Sequence, residues 1–358
     1  MLIMHIVGAR PNFMKAAPVM DALKPYPHVQ QMLVHTGQHY DANMSAVFFK
    51  ELGLPEPDIN LEVGSASHAV QTAGIMQRFE QIVLETRPDW VLVYGDVNST
   101  IATALVSTKL GIPVAHVEAG LRSFDRRMPE EINRLITDQI AAKLFTPSAD
   151  GDKNLLHEGV PAQKIHLVGN VMIDTLIRLL PAAETRWPDL QSSYALQQYG
   201  LITLHRPSNV DDLDMLRKIL TALNNIGERL PLIFPVHPRT HHKIAEHDLG
   251  HLTTHIQFIE PLGYLDFLAM QKHAAVIITD SGGIQEESTY LGVPCLTVRE
   301  NTERPITIEI GTNQLVGQDM ALLRLSVEKI LAGSHKSGQI PPLWDGQAGK
   351  RIAKILAA

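Results

Sequence analysis

Trp90-Val91-Leu92-Val93-Tyr94-Gly95-Asp96-Val97-Asn98-Ser99-Thr100 runs five large apolar or aromatic side chains into a glycine, an acid and a polar helix start. An unbroken apolar run of this length, followed by a helical pattern, predicts a strand buried on both faces of a parallel sheet. The same rhythm recurs on either side of it. Further strands are expected at 2–7, 31–35, 114–117, 143–146 and 164–168, with room for crossover helices between them. A second series starts at 201–204 and continues at 232–236, 256–259, 276–279 and 295–298, with helical patterns such as 213–226 in between. The expected fold is α/β, two Rossmann-like doubly wound domains facing a central cleft, where strand carboxyl ends deliver ligands. The domains are expected over 1–170 and 171–345. Their divide is placed within 171–199, where Pro181, Pro188 and a Gln-Ser-Ser stretch interrupt the periodicity. A last helix, 346–358, is expected to pack back on the first domain.

Bulk properties agree with this and exclude other classes. A chain of 358 residues suits two cores better than one. Apolar residues make up 45% and charged residues 19%, a globular composition. The net charge of −7 argues against a nucleic-acid partner, whose binding would need a broad basic face. It leaves room for a phosphorylated small molecule held by a few placed cations and backbone N–H groups. A lone cysteine, Cys295, permits no intrachain disulfide and reads as a small buried hydrophobe. The amino-terminal apolar run precedes its basic residues, the reverse of a signal peptide, and no stretch approaches a membrane span. The expectation is a cytoplasmic protein with no membrane partner.

Three places along the first domain invite chemistry. Gly8-Ala9-Arg10-Pro11-Asn12-Phe13-Met14-Lys15 turns from a strand into a helix and puts Arg10 and Lys15 near its N-terminus, suited to a diphosphate or a sugar hydroxyl. The plain alternative is two solvated charges. Neither the Gly-x-Gly-x-x-Gly dinucleotide pattern nor the Gly-Lys-Ser/Thr end of a P-loop is present. Asp96 and Glu118 each follow a strand, and Glu130 and Glu131 open a helix behind Pro129. Asp96 alone reads as a helix cap and Glu130 as a dipole partner. Two successive strand ends carrying acids fit a reaction that takes a proton from carbon and returns one.

In the second domain, Thr279-Asp280-Ser281-Gly282-Gly283-Ile284-Gln285-Glu286-Glu287 follows an apolar strand and opens a helix. Ser281, Gly282 and Gly283 make an anion-receptive start, and a glutamate further on suits the two hydroxyls of a ribose. The alternative is a Gly-rich turn with an ordinary cap. His205 and His237 each follow a strand, and a histidine there suits a departing diphosphate. His237, His241 and His242 hint at a metal, but no carboxylate is expected at ligand spacing and no metal is expected.

Together these segments resemble the non-hydrolysing UDP-N-acetylglucosamine 2-epimerases. The resemblance covers nearly the whole chain through Gly8–Pro11, Tyr-Gly-Asp-Val-Asn-Ser-Thr (94–100), His-Val-Glu-Ala-Gly-Leu-Arg (116–122), Pro-Glu-Glu-Ile-Asn-Arg (129–134), Val-Gly-Asn-Val-Met-Ile-Asp (168–174), the 279–287 stretch and Glu-Arg-Pro (303–305). It implies the B-type glycosyltransferase fold and inversion of C2 in a UDP-2-acetamido sugar. The route it implies is anti elimination of UDP to a 2-acetamidoglycal and re-addition, without nicotinamide, metal or other cofactor. By the resemblance, Asp96, Glu118 and Glu130 handle the C2 proton and His205 stands near the departing diphosphate. Arg10, Lys15, Ser281, Gly282, Gly283, Glu287 and Arg304 hold the UDP part, Glu287 on the ribose. A homodimer making a polysaccharide precursor is also implied.

Two departures bear on regulation. Many family members have His-Arg-Arg-Glu where this chain has His205-Arg206-Pro207-Ser208-Asn209, and an Arg where it has Gly74. Those positions help bind a second, activating UDP-sugar; Gln38, Glu131 and His237 match other parts of that site. Activation is therefore expected to be altered or lost. The segments at 35–41, 43–49 and 117–124 also resemble sibling enzymes acting on a UDP-2,3-diacetamido uronic acid. Competing readings are a B-type glycosyltransferase, which needs no such acid trio, a hydrolysing epimerase and a non-catalytic nucleotide-sugar sensor. A nicotinamide dehydrogenase lacks its fingerprint.

Overall fold

The computed structural model describes residues 1–37 and 51–358. Gln38 and the motif residues at 39–49 lie outside the described residues. The described chain divides into two compact units, Met1–Arg178 with Pro342–Ala358, and Leu179–Pro341. The divide falls inside the helix Val171–Ser193, within the expected 171–199 stretch though past the 170/171 boundary, and the helix runs through Pro181 and Pro188. Those prolines do not mark a break. Tertiary contacts outweigh the local preference: Ile173 and Leu176 are fully buried ahead of them, and Trp187 stacks on His273 and Tyr199 between and beyond.

The first unit carries a parallel sheet in the order β3-β2-β1-β4-β5-β6-β7. Its strands are β1 (Leu2–Val7), β2 (Gln30–His35), β3 (Ile59–Asn60), β4 (Trp90–Tyr94), β5 (Val114–Val117), β6 (Lys143–Thr146) and β7 (Ile165–Leu167). The continuous apolar runs are explained by burial of both faces: Met4, Ile6, Val91 and Val93 pack with Ile75, Phe79 and Val83 of the helix His68–Thr86, and Ile3 and Leu92, which point the other way, are fully buried too. The helix Ala348–Leu356 belongs to this unit, its first N–H groups donating to Asp174 at 3.2 and 2.7 Å. Burial pushes the Asp174 carboxyl up to about 6, although those N–H groups pull the other way.

The second unit repeats the plan in a sheet ordered β10-β9-β8-β11-β12-β13. Its strands are β8 (Gly200–Thr203), β9 (Leu232–Pro235), β10 (Ile256–Ile259), β11 (Val276–Thr279), β12 (Cys295–Thr297) and β13 (Asn313–Leu315). The amphipathic helix Leu213–Gly227, capped by Asp212, packs Leu216, Ile219, Leu220 and Leu223 against Ile202, Phe234 and Ile278. Cys295 is fully buried, and burial pushes its thiol up to about 11.

In both sheets the chain builds outward from the first strand in one direction, then returns to its other side. That reversal lies between β1 and β4, and again between β8 and β11. At such a point the connections leave in opposite directions, opening a crevice beyond the strand carboxyl ends.

Candidate active site

At the first reversal, Asn12 fastens the turn after β1 to β4. Its Oδ1 accepts the N–H groups of Gly8 and Ala9 at 3.1 and 3.0 Å, and its Nδ2 donates to Tyr94 O at 2.7 Å. One helical turn on, Lys15 is buried at 5% exposure and forms an ion pair with Glu118, itself at 6%. The solvated alternative therefore fails for Lys15, while Arg10, the first helical residue, is exposed. Glu118 sits at φ 72, a left-handed backbone costly for a residue with a Cβ. It is held there because its own N–H and that of Ala119 both donate to Phe145 O at 3.0 Å. Gly95, at φ 64, stands against this pair: a Cβ there would lie 2.7 Å from Lys15 Nζ and 3.1 Å from Glu118 Oε2.

Asp96 does not cap the following helix, whose N-cap is Val97. Its Oδ2 instead accepts Arg134 Nε and Nη2 at 2.9 and 2.6 Å. Arg134 Nη1 reaches Glu131 at 2.6 Å. Glu131 also accepts the N–H groups of Ser123 and Phe124 and the Ser123 hydroxyl, at 2.9 to 3.0 Å, so it is spent on organising the 121–128 loop. Glu130, beside it, occupies the first turn of the helix Pro129–Ile140, half-buried. Below this layer, His116 bonds Gly95 O at 2.8 Å and Asp138 at 2.6 Å. Burial alone would raise the Asp138 carboxyl, but His116 and Arg122 outweigh it and hold the group below the ordinary carboxylate range.

At the second reversal, Ser281 is the N-cap of the helix Gly282–Leu291, and its N–H donates to Thr279 Oγ1 at 3.0 Å. Arg304 Nε lies 3.0 Å from Glu286 Oε1, and its Nη1 donates to Glu303 at 2.7 Å. A Cβ on Gly282 would run into that guanidinium, so any larger residue there must displace Arg304 from its present position. Arg299 also donates to Glu303, at 2.7 Å, while its buried Nη1 has no hydrogen-bond partner among the described residues. Glu287 is buried, accepting Tyr264 Oη at 2.9 Å and Gln271 Nε2 at 2.6 Å; burial raises its carboxyl despite both bonds. His205 follows β8, and its Nδ1 lies 2.9 Å from Asp280. His237 is exposed and caps the helix Pro238–Glu246 by accepting Arg239 N–H at 3.2 Å.

A family model described as UDP-N-acetylglucosamine 2-epimerase matches residues 21–357. The chain belongs to the UDP-N-acetylglucosamine 2-epimerase family. A UDP-N-acetylglucosamine 2-epimerase of Methanococcus maripaludis is 44% identical over 98% of this chain and 97% of its own length. A UDP-2,3-diacetamido-2,3-dideoxy-D-glucuronate 2-epimerase of Pseudomonas aeruginosa is 42% identical over 100% and 99%. The crystal structure of the Methanocaldococcus jannaschii UDP-GlcNAc 2-epimerase with UDP-GlcNAc and UDP superposes with a TM-score of 0.92 at 44% identity, over 99% of both chains. The chain is accordingly an epimerase.

For this epimerase the structure pairs Lys15 with Glu118 and Asp96 with Arg134 beyond the ends of β4 and β5. It sets Gly282 against Arg304 beyond β11, while Glu287 meets Tyr264 and Gln271 and His205 meets Asp280. Sequence reasoning missed Asp280 as a group with its own partners, along with Arg134 and Arg299. The contacts of Asp280 with His205 and of Arg134 with Asp96 span 75 and 38 residues and leave no local spacing signal, whereas Arg299 meets Glu303 only four residues on. It also overlooked Glu246, 3.9 Å from His242 and one helical turn on. Among the described residues no three His, Cys, Asp or Glu side chains are grouped to hold a metal, and no helix is long and apolar enough to cross a membrane.

Proposed function

We propose that this epimerase interconverts UDP-N-acetylglucosamine and UDP-N-acetylmannosamine. The observation that carries the reading is the buried Lys15–Glu118 pair beside Gly95 and Asp96 at adjacent strand ends. Keeping carboxylates at such depth is expensive, and a reaction that moves a proton on and off carbon needs them. In the forward step a carboxylate takes the C2 proton, a C1=C2 double bond forms, and the C1–O bond breaks to release UDP. In the return step the diphosphate oxygen attacks C1 of the 2-acetamidoglycal and C2 is protonated on its opposite face. No carbon changes oxidation level overall, so the balance calls for no redox cofactor.

Asp96, Glu118 and Glu130 share the two proton transfers, and Lys15, expected from sequence on the UDP part, also pairs with Glu118. Arg10, Ser281, Gly282, Gly283 and Arg304 bind the diphosphate, with Arg299 offering its unpartnered donor. Glu287 takes the ribose and His205 faces the leaving oxygens. With Glu131 spent on its own loop and Gly74 and Pro207 in place of arginines, activation by a second UDP-sugar is altered or lost. A cytoplasmic homodimer serving polysaccharide synthesis completes the reading. The Pseudomonas relative supports a second substrate, the UDP-2,3-diacetamido uronic acid.

The test is incubation with each sugar in heavy water, followed by proton NMR. Deuterium at C2 and a growing manno signal from UDP-N-acetylglucosamine are expected, with a hyperbolic dependence of rate on product in the reverse direction. Retained protium at C2 in both sugars would defeat the proposal, and free UDP with free sugar would mark the hydrolysing chemistry.

A further inference from the structure

Asp280 ends β11, one strand over from His205 at the end of β8, and is fully buried. Its carboxylate gathers donors from a single short segment. Oδ2 accepts the backbone N–H groups of His205 at 3.1 Å and Arg206 at 2.9 Å, and Asn209 Nδ2 at 3.0 Å. Oδ1 lies 2.9 Å from His205 Nδ1. The His205 side chain is nonetheless 60% exposed. One ring nitrogen is thus tied to a buried oxygen while the other edge of the ring stays accessible.

We infer that Asp280 is the positioning residue that fixes His205 with its proton on Nδ1 and presents Nε2 to the leaving diphosphate. Burial would raise the Asp280 carboxyl, but His205 and the other donors outweigh it and keep it below the ordinary range. An ionised carboxylate only accepts, so the Nδ1 side of the contact must supply the hydrogen. The tautomer follows, and a ring flip would cost the buried carboxylate its one side-chain ring donor on Oδ1. When Nε2 also carries a proton, the carboxylate behind the ring balances the positive charge that faces the diphosphate oxygens. The backbone bonds to His205 and Arg206 fix where the ring starts, so one side chain sets position, orientation and tautomer together.

This role rests on the proposal that His205 stands at the departing UDP, and the experiment separates the two. Histidine is labelled with 15N, and long-range proton–nitrogen spectra of wild type and His205→Gln identify the His205 ring. A protonated Nδ1 is expected in wild type; a bare Nδ1 would overturn the inference without any variant being made. In Asp280→Asn the ring is expected to shift toward the Nε2-protonated form. With it, kcat for C2 exchange is expected to fall roughly a hundredfold, and KM to change by less than about threefold. In a His205→Gln background the same Asp280→Asn change is expected to cost less than about threefold more. An equal loss in both backgrounds would mean that Asp280 only braces the loop, and the inference would fall. If wild type shows no exchange at all, the proposed reaction fails, and the catalytic part of the role goes with it.

Discussion

At the carboxyl edge of the first sheet, buried cations stand beside carboxylates: Lys15 with Glu118, and Arg134 between Asp96 and Glu131. At the same edge of the second sheet, Arg304 and Arg299 share Glu303, a buried donor on Arg299 is left over, and glycines open the following helix. The two sheets turn back at the same place in their strand order, so topology alone does not separate their roles. Residue chemistry does. Backbone strain at Glu118 places an acid where glycine would sit more easily, as expected of a group that must meet a reacting atom. Small residues and surplus donors suit an anion that is held rather than transformed.

Breaking the first edge should therefore stop chemistry, and breaking the second should loosen binding. The largest expected effect is that of Glu118→Gln. Removing the charge leaves Lys15 without its buried partner and takes away the proposed proton acceptor. C2 deuterium exchange should fall at least about a thousandfold while UDP affinity, measured by calorimetry, stays within about threefold. An equal loss in both would erase the division of labour. Gly282→Ala is the converse and the milder change. Its methyl group displaces the Arg304 guanidinium, and UDP affinity should fall roughly tenfold, about 1.4 kcal/mol. Exchange at saturating sugar should drop much less than in Glu118→Gln. A variant that binds UDP normally but exchanges poorly would reverse the assignment of the two edges.

Much of this contrast can be read from the chain. The runs at 90–94 and 276–279 coincide with β4 and β11 because strands covered on both faces must be apolar throughout. β3 and β13, of two and three residues, lie at sheet edges and carry polar side chains, so no apolar run announces them. Asp96 and Glu118 are visible as acids after strands. That Asp96 meets Arg134 rather than capping a helix is not, because the pairing depends on how a helix 38 residues away is laid over the sheet. Lys15 looks like any basic residue near a helix start; its burial follows from Glu118, 103 residues on. Spacing reports elements and turns, whereas partners across the strand order emerge only once the sheet is assembled.

The smallest expected effect concerns stability, and it too separates the sheets. His5 lies on β1, the strand at the first reversal, fully buried with Nδ1 2.6 Å from Tyr94 Oη. Burial pushes its imidazole down to about 3, with a Gln31 bond offsetting a little. β8, its counterpart, is Gly200-Leu201-Ile202-Thr203 and has nothing to titrate. The folded histidine stays neutral where the unfolded one, with an ordinary value near 6.5, takes up a proton. Its contribution is therefore fully present above pH 6.5 and is lost as pH falls toward 3. Between pH 6.5 and 5.5 this one group should cost the fold about 1 kcal/mol. His5→Gln keeps a polar group near Tyr94 without the titration, so urea unfolding followed by circular dichroism should show a flatter pH dependence in the variant. An unchanged slope would mean that the unfolding step leaves β1 intact. The second unit would then yield first in acid, and the buried histidine would not be where the first sheet is weakest.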